Sequence, residues 1–384
     1  MMKKCLSFFS VLFFVQMSCV SVFAEGAMDT TAKQAIILDF DTGVVLFEKN
    51  ADARMPTSSM SKVMTMYVVF EAIKNGKLSL EDELLVSEKA WKKGGSKMWV
   101  EVNKTAKVED LVRGVIVQSG NDATIVLAEG LAGSEDAFAA ALNRQAKTLG
   151  MDSSHFMNAS GWPDPDHYST ARDLAKLTVA TIRDHPDSYK YYAEPDFTYS
   201  NITQPNRNPL LSKGIGADGL KTGHTEDGGY GLIGTGMKDG RRVIMVLNGM
   251  ESDKERAQES TRLLQWGLNG FSNVALFENE KILDRVPVYL GQKSSVSVSA
   301  DHSVLATVPK LYETDMKIEL EFRSPIKAPV TKGQEIGVVK VHLPKGGEVR
   351  VPLVAAENVA AMGGVMAFMT KARLLSSGEG YFGQ

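Results

Sequence analysis

The fold prediction depends first on the stretch Ser59-Met60-Ser61-Lys62-Val63-Met64-Thr65-Met66-Tyr67-Val68. Its apolar residues recur at the spacing of one helix face, and Pro56-Thr57-Ser58 interrupts the chain just before it. Asn75-Gly76 supplies a stop signal. The sequence therefore predicts a helix that begins near Ser59 and carries Ser59 and Lys62, three residues apart, on one face.

Ser59 and Lys62 together indicate a serine nucleophile with a lysine base. A serine hydroxyl is weakly nucleophilic until a base removes its proton, and a lysine can do so only when its pKa falls. Burial and a second cation both lower the pKa of a lysine, and Lys221 is our candidate for that cation. Ser324-Pro325-Ile326-Lys327 has the same spacing, but it lies beside a proline in a β-rich region. A capping serine before a solvated lysine would match as well, so the motif needs support.

Ser119-Gly120-Asn121 lies between two predicted helices, at a turn. Ser119 can pass a proton between the lysines and a leaving nitrogen, and Asn121 can hydrogen-bond a substrate backbone or Lys62. Serine, glycine and asparagine are also ordinary turn residues, so this motif is weak by itself.

Lys221-Thr222-Gly223, followed by His224-Thr225, lies on a predicted edge strand that could pair with an extended peptide. Gly223 leaves room for that approach, and Lys221 and Thr222 can bind a carboxylate. A solvated lysine before a glycine bulge is the alternative. The three motifs in this order nevertheless predict acyl transfer on Ser59, with Lys62 and Ser119 as its catalytic partners.

The remaining pattern predicts an α+β fold, an antiparallel sheet covered by helices. The predicted strands are Ala35 to Phe40, Val44 to Glu48, Gly219 to Thr222, Tyr230 to Met237 and Val243 to Gly249. The further predicted helices are Val108 to Val117, Asp122 to Leu131, one capped by Ser134 that stops at Gly150, one capped by Thr170 that ends before Pro186, and Ser252 to Leu268.

After residue 272 the pattern changes to short alternating segments between Gly, Pro and Lys-rich turns, which predicts a small all-β sandwich. A terminal amphipathic helix carrying Met362, Val365, Met366, Phe368, Met369 and Leu374 follows. The predicted domains are residues 25–272, 273–358 and 359–384.

Residues 1–24 have the pattern of a secretory signal peptide, with Lys3-Lys4, an apolar run and Val22-Phe23-Ala24. An uncleaved anchor helix is the alternative, and a lipoprotein through Cys19 fits less well. Cys5 and Cys19, the two cysteines of the chain, both lie in this segment, so cleavage would exclude disulfides and a catalytic thiol. The formal charge of −3, without a basic stripe, predicts no nucleic-acid partner.

Residues from about 30 to 270 resemble the serine D-alanyl-D-alanine carboxypeptidases, the low-molecular-mass penicillin-binding proteins. The residues that carry the resemblance are the three motifs with Asp41-Thr42-Gly43, Asn50-Ala51, Arg54-Met55-Pro56, Met64-Thr65, Asn158-Ala159-Ser160-Gly161-Trp162, Asn206-Arg207-Asn208 and His224-Thr225. The resemblance implies a β-lactamase/transpeptidase-like catalytic domain, a β domain, and a terminal helix that lies on the outer face of the inner membrane. It also implies an exported, periplasmic protein that needs no cofactor.

The resemblance further implies a role for each site residue. Ser59 would attack the bond between the two terminal D-alanines of a peptidoglycan stem pentapeptide, and backbone N–H groups of Ser59 and His224 would bind the oxyanion. Ser119 would protonate the departing D-alanine, while Lys221, Thr222 and Arg256 would hold its carboxylate. β-Lactams would acylate Ser59.

Three alternatives stay open. A class A β-lactamase would carry a glutamate before the Lys-Thr-Gly motif, whereas residues 158–172 hold Asp164 and Asp166 but no glutamate. A wall-associated scaffold without turnover, and an endopeptidase or transpeptidase, are the others.

Gly229 to Gly234 matches a dinucleotide fingerprint but leads into a hairpin. The histidines, among them His155, His167 and His185, lack metal-site spacing and are predicted to be loop or surface residues.

Overall fold

The computed structural model describes residues 28–278, 281–343 and 347–376, with backbone alone for the last four of these. The predicted signal peptide, both cysteines and the end of the tail lie outside these residues. The helices, in chain order, are α1 Lys62–Lys74, α2 Glu88–Lys92, α3 Val108–Ile116, α4 Asn121–Ala132, α5 Glu135–Thr148, α6 Ala171–Asp184, α7 Pro186–Tyr189, α8 Asp253–Gly270 and α9 Gly364–Ser376.

The strands are short in the first half of the chain and longer after residue 217. They are β1 Gln34–Asp39, β2 Val45–Lys49, β3 Glu83–Leu85, β4 Thr105–Lys107, β5 Asp196–Tyr199, β6 Ile202–Pro205, β7 Ala217–Thr225, β8 Gly229–Lys238, β9 Arg241–Met250, β10 Phe271–Phe277, β11 Ile282–Tyr289, β12 Ser295–Ala300, β13 Val304–Pro309, β14 Lys317–Phe322, β15 Ile326–Lys327, β16 Glu335–Leu343 and β17 Gly347–Ala355.

An antiparallel five-stranded sheet with the order β2-β1-β9-β8-β7 forms the centre of the larger unit. Successive residues of β9 point to opposite faces. Met245 and Leu247 pack in one core with Leu263 and Leu264 of α8, whereas Ile244 and Val246 join the core beneath the other helices. Both faces are therefore buried, and the predicted helix-covered sheet is confirmed.

Helix starts in this unit follow the capping predictions. The hydroxyl groups of Ser134 and Thr170 each accept a hydrogen bond from the backbone N–H three residues later, at 3.1 Å in both cases. Each bond satisfies an N–H that has no partner within the helix. The predictions of α5 and α6 from these residues are confirmed.

The later part of the chain is β-rich, as predicted. A six-stranded sheet has the order β14-β16-β17-β12-β11-β15, and β10 pairs with β13 separately. Alternating side chains such as Val296, Val298, Val339 and Val341 form a third core. The sheet is antiparallel except where β15 runs parallel to β11.

The terminal helix α9 begins later than predicted. Val359 exchanges two backbone hydrogen bonds of 2.9 Å with Val330, so the chain is still extended at the point where the predicted terminal segment begins. The helix begins at Gly364. Across the residues described, no helix combines the length and the apolar character needed to cross a bilayer.

Candidate active site

The segment that carries Ser59 is a tight turn rather than the predicted α-helix. Residues Ser58–Ser61 form a 3-10 turn, and α1 begins with Lys62. The turn starts with Ser58 at φ +49°, a value uncommon for residues other than glycine. Ser59 is partly exposed, while its neighbours in the turn are buried. The turn therefore presents one hydroxyl to solvent at the N-terminal end of a helix.

Lys62 is fully buried and aims its amine at this hydroxyl. Its Nζ lies 2.8 Å from Ser59 Oγ, 2.8 Å from Asn121 Oδ1 and 2.7 Å from the Ser160 carbonyl oxygen. Burial, more than any nearby charge, lowers the pKa of Lys62 to about 7. Near neutral pH about half of these amines carry a lone pair and can accept a proton.

Two cations other than the predicted one add to this lowering of the pKa of Lys62. They are Arg207 and Lys93, whereas Asp122 opposes them. Lys221, which we expected in this role, is itself buried, and its own pKa falls well below the ordinary value through burial and then through the charges of Lys62, Arg207 and Arg256. The cleft is thus crowded with cationic groups that disfavour one another's charge.

The turn between α3 and α4 brings the second motif to the same place. Ser119 is buried with φ +59°, and its Oγ lies 3.0 Å from Lys221 Nζ. Asn121 begins α4, accepts from Lys62 through Oδ1 and donates through Nδ2 to the Gly94 carbonyl at 2.9 Å. Of the two roles predicted for Asn121, the contact with Lys62 is the one observed.

Strand β7 carries the third motif and is an edge strand of the sheet, as predicted. Lys221 and Thr222 are buried, while the His224 ring is exposed and stacks on Tyr230 with centroids 3.9 Å apart. A Cβ on Gly223 would lie 2.9 Å from the Thr57 carbonyl oxygen and 3.2 Å from Ser58 Cβ. The missing side chain therefore makes room for the turn that carries Ser59, not for a ligand as we expected.

Arg256 approaches the same region from α8. Its guanidinium lies 5.5 Å from the centre of the Tyr230 ring, on which His224 also stacks. The side chain is buried and pairs with Asp253, but its Nε has no hydrogen-bond partner. Arg256 thus offers a buried donor beside the third motif.

Sequence reasoning missed several supporting residues. Asp122 accepts backbone N–H bonds from Met98 and Trp99, each at 2.9 Å, and so fixes the loop that passes over Asn121. The Ser160 carbonyl oxygen accepts a hydrogen bond from Lys62, but the role of a backbone carbonyl cannot be recognised from a pattern of side chains. His167 and His185 were expected in loops or at the surface; they lie in loops, but both are only 5% exposed.

A cavity of about 700 Å³ opens beside the turn that carries Ser59. Its walls include Ser58, Trp162, Tyr168 and Asp227. Ser59, Lys62, Ser119 and Lys221 are not among its lining residues, so the cavity adjoins the catalytic residues without containing them.

Two family models match the chain. The model described as D-alanyl-D-alanine carboxypeptidase matches residues 21–252, and the model described as penicillin-binding protein 5, C-terminal domain, matches residues 271–361. A D-alanyl-D-alanine carboxypeptidase of Haemophilus influenzae, DacA, is 38% identical over 342 residues, which are 86% of this chain and 87% of that protein.

Solved structures agree with these matches. Penicillin-binding protein 5 from Haemophilus influenzae has a TM-score of 0.77 at 38% identity, over 87% of this chain and 99% of that one. Penicillin-binding protein D2 from Listeria monocytogenes, solved in an ampicillin-bound form, has a TM-score of 0.58 at 32% identity, over 63% of this chain and 99% of that one. The predicted resemblance is confirmed: the chain belongs to the D-alanyl-D-alanine carboxypeptidase family.

Proposed function

We propose that this protein removes the terminal D-alanine from peptidoglycan stem pentapeptides through an acyl-enzyme on Ser59. The family assignment gives the class of enzyme, a serine-type D-alanyl-D-alanine carboxypeptidase. The observation that carries the assignment of residues is the 2.8 Å contact between Ser59 Oγ and the buried amine of Lys62.

In the first step Lys62 accepts the proton of Ser59, and Oγ attacks the carbonyl carbon between the two D-alanines. The negative charge that develops on the carbonyl oxygen is stabilised by the backbone N–H groups of Ser59 and His224. Lys62 begins this step neutral because burial has lowered its pKa to about 7.

In the second step the tetrahedral carbon expels D-alanine, whose nitrogen needs a proton to leave. Ser119 supplies this proton and takes one in return from Lys221, 3.0 Å away. The proton that Lys62 took from Ser59 passes to Lys221, which leaves Lys62 neutral for the next step. A water molecule then attacks the acyl-enzyme, with Lys62 again as the base, and releases the shortened peptide. Burial lowers the pKa of both lysines, and it lowers that of Lys62 to about 7, so Lys62 can take up and release a proton near neutral pH.

The terminal carboxylate of the substrate lies against β7, with Lys221, Thr222 and Arg256 as its partners. The unpartnered Nε of the buried Arg256 supports this assignment, since a buried donor without an acceptor is costly in the free enzyme. The extended substrate backbone pairs with the exposed edge of β7, and Asn121 keeps Lys62 in place beside it.

β-Lactams acylate the same hydroxyl, because they present a strained amide where the peptide presents its scissile bond. The loop of residues 158–172 lacks a glutamate to activate a hydrolytic water. We therefore expect a long-lived penicilloyl-enzyme. A benzylpenicillin complex that hydrolysed within seconds would instead favour a β-lactamase.

The decisive experiment measures D-alanine released from diacetyl-Lys-D-Ala-D-Ala by the wild-type protein and by the Ser59→Ala variant. We expect release by the wild type alone. Release by the variant would refute Ser59 as the nucleophile, and no release by a folded wild type would favour a scaffold without turnover. Crosslinked muropeptides as a second substrate distinguish a carboxypeptidase from an endopeptidase or transpeptidase.

We also propose that the protein is exported to the periplasm after loss of residues 1–24, with domains at 25–272, 273–358 and 359–384. Helix α9 would lie on the outer face of the inner membrane. Support for this comes from Val365, Met366, Phe368 and Met369, which are all more than half exposed on the helix. Such a face matches the apolar side of an interfacial helix.

A further inference from the structure

Beneath the turn that carries Ser59 lies a second chain of hydrogen bonds, which the proposed mechanism does not use. His167 Nε2 lies 2.8 Å from Ser61 Oγ, and Ser61 Oγ lies 2.5 Å from Thr57 Oγ1. All three side chains are buried, with exposures of 5%, 1% and 1%. The chain links the loop of residues 156–167 to both ends of the Ser59 turn.

The hydrogen bonds fix one tautomer of His167. The backbone N–H of Met157 donates to Nδ1 at 3.2 Å, and an amide can only donate, so Nδ1 carries no proton. The proton of the neutral ring is therefore on Nε2, which donates to Ser61. Burial lowers the pKa of His167 to about 4, with His155 and Lys62 adding to the lowering and Asp164 opposing it. The ring stays neutral at pH 7.

This loop meets the catalytic turn at two further points. The Ser160 carbonyl accepts from Lys62 at 2.7 Å, and Gly161, at φ +77°, packs so closely that a Cβ would lie 1.8 Å from the Ser58 carbonyl oxygen. A small shift of the loop would thus move the Ser160 carbonyl away from Lys62. The loop is also held by Thr65, whose hydroxyl donates to the Ala159 carbonyl at 2.6 Å, and by Asn143, which bonds to the backbone of Phe156. The bond from His167 ties the far end of the loop to the Ser59 turn.

We propose that His167 is a positioning residue: its Nε2–H bond to Ser61 holds the 156–167 loop against the Ser59 turn and so keeps the Ser160 carbonyl on Lys62. His167 touches no reacting atom. The proposal rests on the roles given above to Ser59 and Lys62, and it concerns how their geometry is maintained.

Two substitutions of His167 test its hydrogen bonds to Ser61 and Met157 separately. In His167→Gln the amide nitrogen reaches the position of Nε2 and can still donate to Ser61. In His167→Asn the amide oxygen reaches the position of Nδ1 and can still accept from Met157, but Ser61 loses its donor. Both variants lose the edge-to-face contact with Phe156, whose ring centre lies 5.6 Å from that of His167. The two variants therefore lose the same packing contact, so a difference between them reports on the hydrogen bonds.

The test measures the rate of acylation by a fluorescent penicillin from pH 5 to 9, together with the melting temperature. We expect His167→Gln to stay within threefold of the wild type and His167→Asn to fall at least tenfold at a similar melting temperature. The acidic midpoint of the rate profile should also rise in His167→Asn, because a loosened loop admits water to Lys62.

A second pair keeps the proposal testable if His167→Asn fails to fold. Ser61→Ala should lose at least tenfold in acylation rate, while Ser61→Thr, which keeps the hydroxyl, should stay near the wild type. Equal losses in the Gln and Asn variants, or wild-type rates in His167→Asn or Ser61→Ala, would overturn the positioning role. A folded wild type that penicillin does not acylate would instead refute the proposed function.

Discussion

Burial sets the chemistry of Lys62. In water a lysine has a pKa near 10.4, so at pH 7 roughly 0.04% of its amines are neutral. Inside this protein the pKa falls to about 7, chiefly because the amine is completely buried. The accompanying contacts to Ser59, Asn121 and the Ser160 carbonyl keep the buried group hydrogen-bonded, which limits the cost of burying it.

This pKa predicts a pH profile for acylation. Lys62 is active when neutral, so the acylation rate should fall about tenfold for each unit of pH below about 7 and level off above it. Lys62→Arg, whose side chain stays charged, should lose at least a thousandfold across the range. Lys93→Met removes a cation that lowers the pKa of Lys62, so it should move the midpoint upward with the same plateau. Stopped-flow acylation by penicillin provides the measurement; a profile flat from pH 5 to 9 would contradict it.

Arg256 is the second residue whose surroundings predict an effect. A charge-assisted hydrogen bond to a carboxylate contributes about 1.5–3 kcal/mol, so Arg256→Met should lower kcat/KM for diacetyl-Lys-D-Ala-D-Ala by roughly 10- to 150-fold. With a substrate whose terminal carboxylate is amidated, the wild type and the variant should differ little. Arg262→Met is the control, because Arg262 lies on the same helix and, like Arg256, pairs with an acidic residue of that helix, here Glu259. Equal losses of kcat/KM on both substrates would show that Arg256 does not act by binding the terminal carboxylate.

At the level of elements, the approach of β7 to the Ser59 turn assembles the site. One segment is a strand and the other a 3-10 turn, and their contact joins residues far apart in the sequence. Gly223 permits that contact, since its missing Cβ would lie 2.9 Å from the Thr57 carbonyl oxygen. Real Cβ atoms are rarely found so close to a backbone oxygen, so one of the two segments would have to move.

Gly223→Ala should therefore displace β7 from the turn and reduce acylation by penicillin at least tenfold. The strand ladder with β8 should persist, so the far-ultraviolet circular dichroism should stay unchanged. Gly270→Ala is the matched control, because a Cβ there would meet nothing closer than 3.9 Å. Normal acylation in Gly223→Ala would show that the close contact is not needed.

Elements with strong local signals were predictable from the sequence, and elements that depend on distant partners were not. The caps Ser134 and Thr170 located α5 and α6, because each side chain bonds to its own helix. Strands β3, β4, β5 and β6 are three or four residues long, too short to show a hydrophobic period, and their pairing partners fix them. In the same way, motifs identified Ser59, Lys62 and Lys221. The effects of the Ser160 carbonyl and of the Arg207 charge on Lys62 depend on proximity in the folded chain, so no motif predicts them.

At the scale of the whole molecule, a buried polar cluster joins the helix-covered sheet to the β-rich part. Arg241 Nε lies 2.7 Å from Asp39 Oδ2, and Asn273 Nδ2 donates to Asp39 Oδ1 at 3.1 Å. The Thr307 hydroxyl in turn donates to Asn273 Oδ1 at 2.8 Å. Strands of both parts therefore share one hydrogen-bond network.

Helix α9 follows that β-rich part, and its exposed apolar face predicts binding to a membrane surface. Val365 and Phe368 are 76% and 74% exposed and lie three residues apart on one helix face. The full chain should cosediment with anionic phospholipid vesicles, whereas a Val365→Glu, Phe368→Glu variant should stay in the supernatant, because buried carboxylates in the headgroup region are costly. Release of D-alanine from a soluble peptide should be equal in the two proteins, since neither Val365 nor Phe368 is among the described residues that contact Ser59, Lys62, Ser119 or Lys221. Ile318→Glu replaces an exposed apolar residue of β14 and is the control. It should bind vesicles like the full chain if binding depends on the apolar face of α9. If all three proteins bind vesicles equally, α9 is not the membrane contact, and its apolar face must meet another surface.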